Sequence, residues 1–345
     1  MTDLINTRKL DHLRALADDA GIERRAAGFE GVRLRHRALP EIAFETVDTR
    51  TRFLDKELEM PLLISSMTGG ADEEIAKINR NLAEAAERCG VAMAVGSQRV
   101  MLSDPAAAKS FTLREHCPSV PLIGNLGAVQ LNHGFGLTEC QAAVDALSAD
   151  ALYLHLNPLQ EAVQPEGDLN FAGLADRIAT VVEGLPVPVL LKEVGSGLSR
   201  EDVELGLNAG VRHFDVAGRG GTSWSRIEYH RRVDAADDIG LLFQDWGLTT
   251  VESLEEVSSA LATRPEETTI IASGGMRSGI DMAKAMVLGA NLCGIAAPFL
   301  EAAKDSSDAV VARIGRLHRE FKTALFLLGC ADCKALIGDK SLLLH

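Results

Sequence analysis

The feature that most constrains this chain is a rhythm between residues 60 and 297. Nine short apolar runs alternate with longer amphipathic stretches: Met60–Ser65, Val91–Gly96, Val120–Asn125, Ala151–Asn157, Val187–Val194, Val211–Ala217, Leu241–Asp245, Thr269–Ser273 and Asn291–Ala297. Val, Ile and Leu dominate them without strict alternation, as strands buried on both faces require, and repeated βα units around a parallel sheet produce this pattern. Leu241–Asp245 is set aside, because it follows an Arg- and Asp-rich stretch and leads directly into DWGLTT. Eight strands remain, and the expectation is α/β: a single (β/α)8 TIM barrel with a long insertion after the sixth strand, where an active-site lid would sit. A doubly wound open sheet would want a glycine fingerprint after its first strand, and SSMTGG at 65–70 does not supply one.

Two helices are legible in detail. Ile75, Ile78, Leu82, Ala85 and Cys89 recur at helical spacing and stop at Gly90; Val311, Ile314, Leu317, Phe321, Leu325 and Leu328 do the same between Ser306/Ser307 and Gly329. Residues 1–59 read as a helical and extended preface, residues 60–330 as the barrel and residues 331–345 as a tail.

The 345 residues carry 35 Lys and Arg against 49 Asp and Glu, a net charge of −14. Such a surface argues against a general nucleic-acid or anionic-membrane binder. No run of apolar residues is long enough to span a bilayer. The opening MTDLINTRKLDHLRALADD is charged throughout, unlike a signal peptide, and the six cysteines are scattered, so a cytoplasmic location is expected. Cys330 and Cys333 form one C-x-x-C, without the second pair or flanking His that a zinc site needs. Residues 1–37 run against the overall charge, with eight basic and six acidic residues. A basic arm on an acidic body suits closure over an anionic ligand, and equally a solvated helical face.

Barrels place their chemistry at the C-terminal ends of strands. There the sequence reads Ser65-Ser66-Met67-Thr68, Ser97-Gln98-Arg99, Asn125, His155-Leu156-Asn157 with Gln160-Glu161, Lys192, and Gly218 to Trp224. Strand seven is followed by Ser273-Gly274-Gly275-Met276-Arg277 and strand eight ends in Ala296-Ala297. Bare backbone N–H groups backed by a helix N-terminus bind phosphate, and the last two loops are where barrels put that site.

Lys192 interrupts the apolar run VPVLLKEV, which calls for an anion or a Schiff base beside it. With a phosphate site on the opposite rim, flavin mononucleotide (FMN) is the economical ligand, the lysine facing its electron-rich edge; an aldolase-type Schiff base is the alternative. His155 and Asn157 point to the same side of their strand. With Gln160 they suit a diphosphate head, and the single carboxylate of Glu161 suits Mg²⁺ shared with substrate phosphates.

Assembled, the motifs TRKLDH (7–12), SSMTGG, GSQR (96–99), LHLNPLQE (154–161), LKEVG (191–195), AGRGGTSW (217–224), DWG (245–247) and SGGMRSG (273–279) resemble those of type 2 isopentenyl-diphosphate isomerases. The resemblance implies interconversion of isopentenyl and dimethylallyl diphosphates in isoprenoid biosynthesis, with reduced FMN as acid and base, Mg²⁺, and NADPH or NADH to reduce the flavin. It assigns FMN to Ser65, Ser66, Met67, Thr68, Ser97, Asn125, Lys192, Thr222, Gly274, Gly275, Met276, Arg277, Ala296 and Ala297. Substrate falls to Arg8, Lys9, His12, Ser97, Gln98, Arg99, His155, Asn157 and Gln160, and the metal to Glu161. It implies that the basic arm closes over the diphosphate, and a homotetramer or homo-octamer is expected. Gln160, Lys192 and Glu228 are the catalytic candidates, with Gln160 positioning the alkene and Glu228 relaying a proton. Arg219 stands where the family often has a small residue.

Two rivals are distinguishable. An FMN-dependent 2-hydroxyacid oxidase or dehydrogenase shares barrel, lysine and phosphate loops, yet needs a His base with an adjacent Arg after strand six. Here that position reads GRGGTSW, and the nearest histidines are His213 and His230. A non-catalytic flavin- or phosphate-binding scaffold explains SGGMRSG and leaves HLNPLQE without a purpose.

Overall fold

The computed structural model describes residues 15, 18–67, 72–231, 237–262 and 267–344. A hairpin of β1 (Thr51–Phe53) and β2 (Lys56–Leu58) precedes a closed, all-parallel barrel. The barrel strands, in order around it, are β3 (Leu62–Ile64), β4 (Ala92–Ala94), β5 (Leu122–Gly127), β6 (Ala151–His155), β7 (Val189–Lys192), β8 (His213–Asp215), β9 (Thr269–Ser273) and β10 (Leu292–Ile295), which closes on β3. Seven lie inside their retained apolar runs, and β5 runs two residues past the end of Val120–Asn125. The ninth run is absorbed by a short helix and turn within the insertion, because its polar flanks give it no buried face to pair.

Helices alternate with the strands: α1 (Glu73–Cys89) after β3, α2 (Arg99–Ser103) after β4, α3 (Leu137–Leu147) after β5, and α4 (Pro158–Val163) with α5 (Leu174–Gly184) after β6. The second half continues with α6 (Arg200–Asn208) after β7, α7 (Trp224–His230), α8 (Ile239–Leu242) and α9 (Thr250–Leu261) after β8, α10 (Gly279–Val287) after β9, and α11 (Ala297–Asp305) with α12 (Ser307–Leu328) after β10. The two helices legible in the sequence have the expected ends. Gly90 and Gly329 stop α1 and α12 in the left-handed region, and Ser306 accepts a hydrogen bond from Ala309 N as the cap of α12.

The barrel interior is filled from below by aliphatic side chains. Leu63, Ala92, Ala94, Ile123, Ala151, Leu190, Ile271 and Leu292 form one cluster with Tyr153, and Phe53 and Leu58 of the hairpin close its N-terminal end. This plug leaves the opposite end, where the strands terminate, free for a site.

Two flanking pieces are tied to the barrel. Residues 22–24 bond to the loop after β8: Ser223 N donates to Ile22 O at 2.9 Å and Arg24 N to Gly221 O at 2.9 Å. Asp19 is gripped by Arg226 (2.5 Å) and His230 (2.7 Å) of α7. The C-terminal residues pair with the same preface, Arg35 N donating to Leu342 O and Leu344 N to Arg33 O. Cys330 and Cys333 are separately buried thiols, and Cys333 Sγ donates to Thr49 O at 3.2 Å. Among the described residues no helix is long and apolar enough to cross a membrane.

Candidate active site at the C-terminal rim

A cavity of about 400 Å³ opens at the strand C-termini. It gathers side chains from all eight βα junctions: Ser65, Ser66 and Met67; Ser97 and Arg99; Asn125; His155, Asn157, Gln160 and Glu161; Lys192; Thr222; Gly274, Gly275, Met276 and Arg277; Ala296 and Ala297. Strand register explains the convergence. His155 is level with Lys192, and Lys192 with Asp215, so residues far apart in sequence form one layer. Arg8, Lys9, His12 and Thr68, also expected at the site, lie outside the described residues.

One wall is a hydrogen-bonded chain. Asn125 donates from Nδ2 to Ser66 Oγ at 2.9 Å, which leaves its Oδ1 to accept from His155 Nδ1 at 2.7 Å. That contact fixes the histidine tautomer, with the proton on Nδ1. Lys192 is almost fully buried and donates to the carbonyl of Glu193 at 2.6 Å. The neighbouring Glu193 is turned away from it: one carboxylate oxygen accepts the N–H groups of Val194, Gly195 and Ser196 at 2.6, 2.7 and 2.5 Å. Burial pushes the Glu193 carboxyl up to about 7, against those three donors. Glu193, Gln160 and Trp224 share a small side pocket of about 20 Å³.

A second wall is α4, which begins immediately after Asn157 with Pro158 at its first turn. Asn157 Nδ2 donates to Glu161 Oε1 at 2.8 Å; Asp168 N (2.7 Å) and Gln164 Nε2 donate to its other oxygen. The remaining oxygens, Asn157 Oδ1 and Gln164 Oε1, are buried without a hydrogen-bond partner among the described residues. One carboxylate flanked by two unsatisfied carbonyl oxygens is a donor set suited to a hard cation such as Mg²⁺. Gln164 escaped the sequence reading, although Asn157, Glu161 and Gln164 fall at helical spacing and mark one face.

A third region is the phosphate end. Gly274 and Gly275 have φ of +106° and +77°, and a Cβ on either would lie 2.1 Å from Gly218 O or 2.3 Å from Gly220 O. Nothing but glycine fits, and the backbone is left bare toward the cavity. After the adjacent strand, α11 starts at Ala297 on the same cavity without any side-chain cap. An uncapped helix N-terminus and a bare glycine loop on one cavity fit a phosphate. Glu23 already reaches into this end, accepting from Thr222 Oγ1 at 2.5 Å and from Arg277. No sequence motif marked that acid.

The structure corrects one expectation and relocates another residue. Gln98 was expected to bind substrate, but its side chain is fully buried behind the wall, accepting from Asn125 N at 2.9 Å and donating to Ala143 O at 2.8 Å. It braces the strand that carries Asn125. Glu228, expected as a second proton relay, does not line the cavity itself; it lies behind Gln160, which donates to it at 2.8 Å, and is paired with Arg231. Arg99 does line the cavity and is aimed by Asp168 at 3.0 Å.

A barrel with a glycine phosphate cradle on its last two loops and a buried lysine opposite defines the class of FMN barrels. The family model described as FMN-dependent dehydrogenase matches residues 4–113 and 157–343. Solved structures of a flavocytochrome b2 variant with sulfite bound (19% identity, TM-score 0.70, covering 94% of this chain and 79% of that one) and a mandelate oxidase variant with an FMN adduct (20%, 0.61, 92% and 89%) share the fold. Sequence relatives narrow the class. The isopentenyl-diphosphate delta-isomerase of Paracoccus zeaxanthinifaciens is 63% identical over 336 residues, covering 97% of this chain and 96% of that one. That of Hydrogenovibrio crunogenus is 54% identical over 342 residues, covering 98% of each. The chain belongs to the isopentenyl-diphosphate delta-isomerase family.

Proposed function

We propose that this protein interconverts isopentenyl diphosphate and dimethylallyl diphosphate by a 1,3-allylic proton shift, serving isoprenoid biosynthesis. The observation that carries the reading is the α4 wall with His155 beside it: a histidine, amides and one carboxylate with unsatisfied oxygens next to it, lining the cavity expected to hold the flavin. A 2-hydroxyacid oxidase would need a histidine base where this chain has Gly218 to Trp224.

FMN would be held by Ser65, Ser66, Met67, Ser97, Asn125, Lys192 and Thr222 around its ring and chain, and by Gly274, Gly275, Met276, Arg277, Ala296 and Ala297 at its phosphate, with Thr68 completing the set. When bound in reduced form it supplies an acid and base strong enough for an unactivated alkene, which no side chain offers at neutral pH. Glu161, with Asn157 and Gln164 beside it, would hold Mg²⁺ against the substrate diphosphate. His155, Asn157, Ser97 and Arg99 bind that head group, and the arm carrying Arg8, Lys9 and His12 closes over it. Gln160 orients the alkene, and Lys192 places positive charge where the flavin becomes anionic. NADPH or NADH serves as reductant, and a cytoplasmic homotetramer or homo-octamer is the expected form.

The test is proton NMR of isopentenyl diphosphate incubated with FMN-loaded protein, Mg²⁺ and NADPH. Dimethylallyl signals should grow to an equilibrium mixture, and omission of FMN or Mg²⁺ should abolish them. Oxidation of lactate or mandelate without any allylic product would overturn the assignment.

A further inference from the structure

The barrel interior between the aliphatic plug and the cavity floor is polar. Asp215, at the end of β8, is fully buried. Its carboxylate accepts from Tyr153 Oη of β6 at 3.0 Å, from Ser273 Oγ of β9 at 2.5 Å and from Ala217 N at 3.3 Å. Lys192 of β7 is level with it in the sheet, and the lysine Nζ lies 5.8 Å from the centre of the Tyr153 ring. Four consecutive strands thus contribute to one polar cluster around the residue expected to face the flavin.

A carboxylate at this depth is unfavourable without compensation. Burial pushes the Asp215 carboxyl up, opposed first by the charge of Lys192 and then by the hydroxyls of Ser273 and Tyr153. Nothing in the isomerisation uses the acid directly, since it does not line the cavity. What it can act on is the lysine. An oxidised flavin ring is neutral and leaves a buried ammonium unbalanced; a reduced, anionic ring balances it.

We propose that Asp215 is a positioning residue that supplies the counter-charge to Lys192 from the neighbouring strand, with Tyr153 and Ser273 donating to its carboxylate. It keeps the lysine aimed whatever the state of the flavin. Its field also opposes charge build-up on the ring, so the reduced flavin is a stronger base than one facing an unopposed lysine. This rests on the flavin reading of the cavity.

The experiment is the reduction potential of bound FMN, with the dissociation constants of oxidised and reduced FMN, in wild type, Asp215→Asn, Asp215→Glu and Tyr153→Phe. Asp215→Asn should favour the reduced form at least tenfold, an upward shift of about 30 mV for a two-electron couple. Asp215→Glu should stay near wild type. Tyr153→Phe keeps the ring and removes one donor, so it should shift the same way by less, and it carries the test alone if Asp215→Asn does not fold. An unchanged or lowered potential in flavin-loaded variants would overturn the proposal. A wild-type chain that takes up no flavin would overturn the cavity reading, and this inference with it, before any variant is compared.

Discussion

Gln160 donates its side-chain amide to Glu228 Oε1 at 2.8 Å, joining a carboxylate behind the cavity wall to the cavity itself. Glu228 is fully buried and also held by Arg231, which Glu166 grips from the other side at 2.5 Å. The amide is therefore fixed in orientation by a carboxylate that is itself fixed.

If Glu228 works through Gln160, the two substitutions are not independent. Glu228→Gln alone should lower kcat at least about tenfold, within the range of lost acid–base assistance, with little change in KM. In a Gln160→Ala background the same change should cost less than about threefold. A double-mutant cycle in kcat measures this, and a multiplicative loss would show that Glu228 acts by another route.

Glu161 and Gln160 are sequence neighbours with different surroundings. A carboxylate beside a diphosphate is repelled unless a divalent cation lies between them. Glu161→Gln should raise the Mg²⁺ concentration for half-maximal rate, and excess Mg²⁺ should recover part of the activity. Gln160→Ala should depress kcat at every Mg²⁺ concentration. Titration of rate against Mg²⁺ separates the two, and identical curves would contradict the division.

Glu23 lies against Thr222 and Arg277, where a flavin phosphate would sit. Two anions sharing Arg277 compete, so Glu23→Gln should tighten FMN roughly three- to tenfold and leave riboflavin, which lacks the phosphate, unchanged. Fluorescence titration with both ligands is the check. Equal effects on both would place Glu23's influence elsewhere than the phosphate.

Burial raises the Glu193 carboxyl from 4.5 to about 7. The folded state then binds more protons than the unfolded one between those values, so this residue's contribution falls as pH rises through that window. The shift corresponds to roughly 3 kcal/mol at pH 8 relative to pH 4. Glu193→Gln should flatten that dependence, gaining stability relative to wild type as pH rises. Urea unfolding midpoints at several pH values measure it, and parallel profiles would contradict the burial argument.

Much of the fold was legible because strands buried on both faces leave continuous apolar runs, as at Val189–Lys192. The polar flanks of Leu241–Asp245 were enough to exclude it from the barrel. Site residues on short loops after strands were legible for the same reason: the strand end fixes where they point. What escaped depends on packing between distant segments. Gln98 sits in a motif of otherwise cavity-facing residues, and its inward turn is decided by Asn125 and Ala143. Glu23 reaches the cavity because residues 22–24 bond to the loop after β8, a pairing across about 200 positions that leaves no periodicity. Asp215 does leave a signal in the sequence, an acid inside the apolar run Val211–Ala217.

A proton shift involves no net redox change, and counting product per flavin measures this most directly. FMN-loaded protein, photoreduced anaerobically with Mg²⁺ and no nicotinamide, receives excess isopentenyl diphosphate. Many dimethylallyl diphosphate molecules should form per flavin while the absorbance stays that of reduced FMN. Product limited to one per flavin, with the flavin becoming oxidised as it forms, would contradict it.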